Sequence, residues 1–124
     1  MKRGDTAAQT GLISPAARDA LATWLDQQRA LKGAAENTLT AYQGDVADFL
    51  AFMTAHKAAP QGLGALAQIT ISDMRSWMAR TRGPGVGPRS MARKLSAVKA
   101  FYRWLAEREG FEPTAVLTTR APKF

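Results

Sequence analysis

The chain has 124 residues, of which 46% are hydrophobic and 22% charged, and it contains no cysteine. This length and composition predict one globular domain with its own core, and they exclude a disulfide framework, a thiolate zinc site and a cysteine nucleophile. The formal net charge is +7. No apolar run reaches the roughly 20 residues of a membrane span, and the N-terminus has no signal-peptide pattern, so a cytoplasmic location is expected.

The positive charge is concentrated in the second half of the chain. From Met1 to Gly62, six basic residues balance six acidic ones. From Arg75 to Arg108, nine basic residues stand against the single acid Glu107, a local excess of +8 (nine minus one). Clustered Lys and Arg gain free energy by releasing counterions from phosphates. The distribution therefore predicts a polyanionic partner.

Residues 1–13 show no helical period and are predicted to form a flexible arm. Ser14-Pro15 has the pattern of an N-cap followed by the first helical residue. A first helix is predicted from there to about Leu31, with Gly33 just beyond its end. Four apolar residues near the helical period are expected to face the core: Leu21, Trp24, Leu25 and Leu31.

A second helix is predicted from Asn37 or Thr38 to about Lys57. It carries the clearest apolar stripe of the chain, with near-ideal i, i+3, i+4 spacing: Leu39, Tyr42, Val46, Phe49, Leu50 and Met53. A third helix is expected after Thr70, which can form a capping box with Asp73, and it should end near Gly83. The glycines and prolines from Gly83 to Pro88 predict a turn.

A fourth helix is predicted from Pro88 to Glu109. At 100° per residue it has two faces. Its core line is Met91, Leu95, Val98, Tyr102 and Leu105. The opposite face carries a basic stripe of Arg89, Arg93, Ser96, Lys99 and Arg103. No acid between Arg75 and Ala106 is available locally to pair with this stripe, which favours nucleic-acid contact over a solvated face of mixed charges.

Patterns for catalysis are weak in this chain. His56 is the only histidine, and a solvated or capping role is expected for it, so no metal cluster or Ser-His-Asp arrangement is predicted. Asp45 and Asp48 are three residues apart on a helix, a spacing more typical of a solvated face than of a metal site. The glycines between Gly83 and Gly87 follow a helix rather than a strand, which is unlike a phosphate-binding loop. We predict no catalytic residue, metal or cofactor.

Two blocks of sequence have a combined pattern that is more specific than helical periodicity. The first is ENTLTAY at positions 36–42, followed by Asp45-Val46 and Phe49-Leu50. The second and more specific block is PRSMARKLSAVKAFYRWL at positions 88–105. Together they resemble the core-binding domain of Xer-type tyrosine recombinases and phage integrases, and the resemblance covers roughly Ala20 to Pro122. It implies an all-α, four-helix, SAM-like orthogonal bundle that forms one jaw of a clamp on duplex DNA.

Carried over by position, the resemblance places Thr38 and Tyr42 at phosphates. It places six residues of the fourth helix along the DNA: Arg89, Ser90, Arg93, Lys94, Ser96 and Lys99. With Arg103 from the basic stripe, these are the candidate DNA-binding residues. The family's catalytic set, including the tyrosine that takes the DNA phosphate, belongs to a second domain. Residues 14–110 are thus expected to be the DNA-binding domain and residues 111–124 the start of a linker.

The full-length protein is accordingly expected to act as a DNA-bound tetramer, whereas this part alone neither cleaves nor ligates DNA. The resemblance extends to recombinases that resolve chromosome dimers and to those that integrate mobile elements, and it favours neither. Two other interpretations stay open at this point. One is a stand-alone helical DNA-binding or regulatory protein, and the other is a protein-interaction bundle with an acidic partner.

Overall fold

A computed structural model describes residues 13–122. Its long helices are α1 (Pro15–Lys32), α2 (Glu36–Lys57), α4 (Ile71–Thr81) and α5 (Pro88–Glu109), and two single-turn helices, α3 (Leu63–Leu66) and α6 (Thr114–Leu117), lie between and after them. Over this part of the chain there is no β-strand, which confirms the all-α prediction. The predicted arm at residues 1–13 lies outside the described residues except for Ile13, which is buried in the core.

Ser14 is the N-cap of α1 and also connects the start of this helix to a loop that is distant in sequence. Its hydroxyl oxygen accepts a hydrogen bond from the Ala17 backbone N–H at 3.1 Å, as an N-cap does. The same hydroxyl donates to the Gln61 carbonyl oxygen at 2.9 Å. At the other end of the helix, Gly33 has the left-handed backbone conformation, with φ +64°. The predicted start and end of the first helix are thereby confirmed.

The predicted capping box at the start of α4 is confirmed. The Thr70 hydroxyl accepts from the Asp73 N–H at 3.1 Å, and the Asp73 carboxylate accepts from the Thr70 N–H at 2.9 Å. The carboxylate also contacts the end of α2, with His56 Nε2 at 3.1 Å and Lys57 Nζ at 2.9 Å. His56 therefore holds two helices together rather than lying free in solvent. The helix ends at Thr81, two residues before the expected Gly83.

The core is built around an aromatic cluster contributed by four helices. Trp24 packs edge-on against Phe101, and Phe49 packs edge-on against Trp77 and Tyr102. The Tyr102 hydroxyl donates to the Leu66 carbonyl oxygen at 2.9 Å, and burial raises the pKa of this phenol far above its ordinary value. The apolar faces predicted for the second and fourth helices are buried, except that Tyr42 is half-buried.

Leu31 is a correction to the predicted stripe of the first helix. Its side chain is 76% exposed. It lies in the last turn of α1, where it borders a surface cleft together with Trp104 and Glu107. Helical period predicts the face on which a residue lies, but it does not predict how far along the helix a packing partner extends.

The segment after α5 packs more closely than a linker. Residues Thr114–Leu117 form α6, and Val116 is 2% exposed within the core. The Thr119 hydroxyl, also buried, donates to the Ala115 carbonyl oxygen at 2.7 Å. A single helical turn is too short to produce a readable apolar period. Residues 114–119, within the segment expected to begin a linker, thus pack against the helical core.

Candidate nucleic-acid interface

The core face of α5 fixes the direction of its basic stripe. Because Met91, Leu95, Val98 and Leu105 are almost wholly buried, the opposite side of the helix must face outward. Four of the five stripe residues are exposed, and Lys99 is half-buried. The exposed members are Arg89, Arg93, Ser96 and Arg103. The helix therefore brings these side chains to one surface, as its sequence period predicts.

Lys99 lies among other cations on this surface. Partial burial lowers the pKa of its ammonium group, and the nearby charges of Arg103 and Arg120 lower it further. The electrostatic repulsion between such neighbouring cations decreases when a polyanion approaches. Lys99 therefore lies within a local concentration of positive charge.

Arg120 is a member of this basic surface that the sequence patterns did not indicate. It follows α6, and it lines a small surface cleft with Arg75 of α4 and with Thr119. Its approach to Lys99 depends on the packing of the C-terminal segment against α5. A local sequence pattern does not predict this long-range packing. With Arg120 and Arg75, the basic surface extends from α5 towards α4.

Asp45 of α2 is the acidic partner that the local sequence around α5 lacks. It is buried, and its Oδ1 accepts hydrogen bonds from Arg93 Nη2 at 2.9 Å and Lys94 Nζ at 3.3 Å. Two expectations are corrected by this contact. Arg93 is paired rather than unpaired, and Asp45 does not belong to a solvated face, whereas Asp48 is exposed as predicted. The partners are 48 residues apart in sequence, beyond the reach of a helical-period argument.

Lys94 lies to one side of the stripe. Its side chain is 19% exposed and is directed to Asp45. At 100° per residue, Lys94 is only about 40° from the buried Val98, which explains why its stem is covered. Lys94 is therefore much less accessible than Arg93, whose side chain is 55% exposed.

The remaining candidate residues lie at the starts of α2 and α5. Thr38 is exposed in the first turn of α2, and Ser90 is half-buried in the first turn of α5. Tyr42 stacks on Trp24 with ring centroids 5.3 Å apart, in agreement with the core packing expected for it. The Asp45–Arg93 contact joins α2 to α5, so the two helices contribute to one side of the molecule.

Apart from the basic surface, the described part of the chain has few groups arranged for metal binding or catalysis. No three His, Asp or Glu side chains between residues 13 and 122 are grouped so that they could hold a metal ion. The segment between α4 and α5 is a turn closed by a 2.9 Å hydrogen bond from the Val86 N–H to the Gly83 carbonyl oxygen. Among the described helices, none has the length and apolarity needed to cross a membrane.

Comparison with known proteins identifies the domain. Residues 21–109 match the family model for the phage integrase N-terminal SAM-like domain. The chain is 38% identical over 102 residues to a protein of Rhodospirillum centenum named tyrosine recombinase XerC, a match covering 81% of this chain and 28% of that protein. A protein of the same name from Brucella suis is 32% identical over 120 residues, covering 94% of this chain and 38% of the relative.

A third protein named tyrosine recombinase XerC, from Methylobacterium nodulans, is 38% identical over 113 residues, covering 90% of this chain and 34% of the relative. The chain thus spans about a third of the length of these curated relatives. No solved structure shows a significant match to it. The family match covers most of the chain and both sequence blocks that suggested the resemblance. The protein belongs to the phage integrase family, of which this chain contains the N-terminal SAM-like domain, and it is similar to tyrosine recombinases.

Proposed function

We propose that this domain binds duplex DNA for a site-specific tyrosine recombinase and that it does so with the exposed face of α5. The observation that carries the proposal is the gathering of Arg89, Lys99 and Arg103 on one face. Arg120 adds charge beside them. An α-helix fits the major groove of B-DNA, where phosphates line both edges.

Each residue type on this face suits a particular contact. Arg can donate two parallel hydrogen bonds to the O6 and N7 acceptors of guanine, whereas Lys and Ser are suited to phosphates. We assign Lys99 and Ser96 to phosphates and Arg93 to a base edge. Thr38 and Tyr42 of α2 would contact phosphates on the flank, as the family resemblance implies.

The chemistry of recombination is assigned to a part of the protein outside this chain. In the reaction that the resemblance implies, a tyrosine oxygen bonds to a DNA phosphorus and the 5′-oxygen leaves, so a 3′-phosphotyrosyl intermediate conserves the energy of the broken bond. A tetramer on DNA would bring the exchanging strands together. The relatives, about three times longer than this chain, have room for such a catalytic domain. We place this activity in the cytoplasm.

A salt-dependent titration tests the proposed DNA contact. Duplex DNA carrying a fluorescent label is titrated with the 124-residue protein at several salt concentrations, using wild type, Lys99→Ala and Arg18→Ala. Each variant removes one positive charge, and Arg18 is exposed on α1 in the neutral half of the sequence. Lys99→Ala should weaken binding to all duplexes alike and reduce the slope of log K against log salt by about 1.

The control should leave both affinity and slope nearly unchanged. Equal losses for the two variants would mean that binding follows overall charge and not the α5 face. Absence of duplex binding by the wild-type protein at low salt would contradict the proposed function as a whole.

A further inference from the structure

Asp45 is a buried carboxylate whose position is not explained by packing. Its side chain is 5% exposed, Oδ1 accepts both cationic partners, and Oδ2 has no hydrogen-bond partner within residues 13–122. Burying a carboxylate with an unsatisfied oxygen costs free energy, and an apolar side chain of similar volume would avoid that cost. A charged side chain that is buried with an unsatisfied oxygen is often found at a functional site.

The ion pair restrains Arg93 without using all of its donors. A guanidinium group has five N–H donors, and Asp45 is contacted through Nη2 at 2.9 Å, while the Arg93 side chain remains 55% exposed. A free arginine has several rotatable bonds, so ordering it on binding has an entropic cost. An arginine already held at one nitrogen has less freedom to lose when its other donors meet a base.

We propose that Asp45 is a positioning residue that acts through Arg93, holding the guanidinium in the orientation that discriminates a guanine edge in duplex DNA. This inference rests on the proposed function. Lys94 shares the carboxylate at 3.3 Å, so the three groups together keep a net charge of +1 (two cations minus one anion). The carboxylate is therefore compatible with a DNA-facing surface.

The inference and simple electrostatics predict effects of one substitution on different quantities, sequence discrimination and overall affinity. Asp45→Asn removes a negative charge close to the DNA, which on electrostatic grounds alone should tighten binding to every duplex. If Asp45 positions Arg93, the same change should reduce sequence discrimination even though the protein becomes more positive. The matched control is Asp48→Asn, which makes the same charge change three residues away on the same helix at an exposed position.

The experiment uses a pool of duplexes with a randomised segment. The pool is incubated with the wild-type 124-residue protein or with D45N, D48N, R93A or the double variant D45N/R93A, and the bound duplexes are sequenced. We expect D45N and R93A to lose preference at the same base-pair positions, by about fivefold or more. D48N should keep the wild-type preference. D45N should have no further effect on base preference in the R93A background, and a loss confined to the base-pair positions read by Arg93 is what a purely structural role would not produce.

Several outcomes would overturn the inference. Wild-type preference in D45N, a further loss in the double variant, or binding by the wild type without any sequence preference would each do so while leaving DNA binding intact. A wild type that binds no duplex would instead overturn the proposed function.

A second measurement covers the case in which D45N does not fold. In the free wild-type protein, the NMR order parameter of the Arg93 Nε–H should be clearly higher than that of Arg18. Equal mobility of the two side chains would overturn the inference.

Discussion

At the scale of single residues, Asp73 is the carboxylate that ties the start of α4 to the end of α2. Burial raises its pKa, but hydrogen bonds from the Thr70 backbone, the Lys57 ammonium and the Thr70 hydroxyl lower it more, so the pKa falls from 3.8 to about 2. A carboxyl whose pKa is lower in the folded state binds more protons in the unfolded state at acidic pH. Its stabilisation is therefore present above about pH 4 and is lost as the pH falls towards 2.

We expect Asp73→Asn to lower the free energy of unfolding by about 2 kcal/mol at pH 7, in line with a shift of nearly two pKa units. Between pH 5 and pH 2 the wild type should lose more stability than the variant, because only the wild type has this group to protonate. Urea unfolding at a series of pH values measures both effects. Asp19→Asn at an exposed site on α1 is the control, and parallel pH profiles for wild type and Asp73→Asn would contradict the assignment.

At the scale of helices, the C-terminal ends of α1, α2 and α5 have the same left-handed backbone conformation but are formed by different residue types. Gly33 and Gly110 have positive φ beyond α1 and α5, whereas Ala58 adopts φ +60° beyond α2. The left-handed region is unfavourable for residues with a Cβ atom. The end of α2 thus contains a small amount of backbone strain that glycine would remove.

Ala58→Gly should raise the free energy of unfolding by about 0.5 to 1 kcal/mol, since relief of strain is partly offset by the greater freedom of glycine in the unfolded chain. The reciprocal variant Gly110→Ala should destabilise by about 1 kcal/mol. A Cβ atom at Gly110 would meet no atom within 4 Å, so its cost comes from the backbone alone. Changes of the same sign in urea unfolding of the two variants would show that the cap geometry is not the cause.

At the scale of the whole molecule, Phe49 connects three helices. It lies on α2, is fully buried, and packs edge-on against Trp77 of α4 and Tyr102 of α5. Phe49→Ala should cost about 3 to 5 kcal/mol, a large part of the roughly 5 to 15 kcal/mol expected for a domain. Phe52→Ala, at a half-buried site on the same helix, should cost less. An unchanged urea midpoint for Phe49→Ala would place this ring outside the core.

The features that could be predicted from sequence are those with local causes. The caps at Ser14 and Thr70 and the helix from Pro88 to Glu109 depend on neighbouring residues, and the structure has them as predicted. Asp45 and Arg120 could not be assigned in this way, because their roles depend on which helices meet in space. For the same reason the candidate site was predicted as a single face, without the buried acid of α2 beside it.

Mapping the DNA contact on the domain by NMR tests the proposed function most directly. The isotope-labelled 124-residue protein is titrated with a short duplex at low salt, and changes in backbone amide chemical shifts are followed across residues 13–122. Shifts should concentrate on the exposed face of α5, around Arg89, Ser96 and Lys99, and at the start of α2 near Thr38. Shifts confined to α1 and α3, or no shifts at protein concentrations up to the millimolar range, would contradict DNA binding by α5.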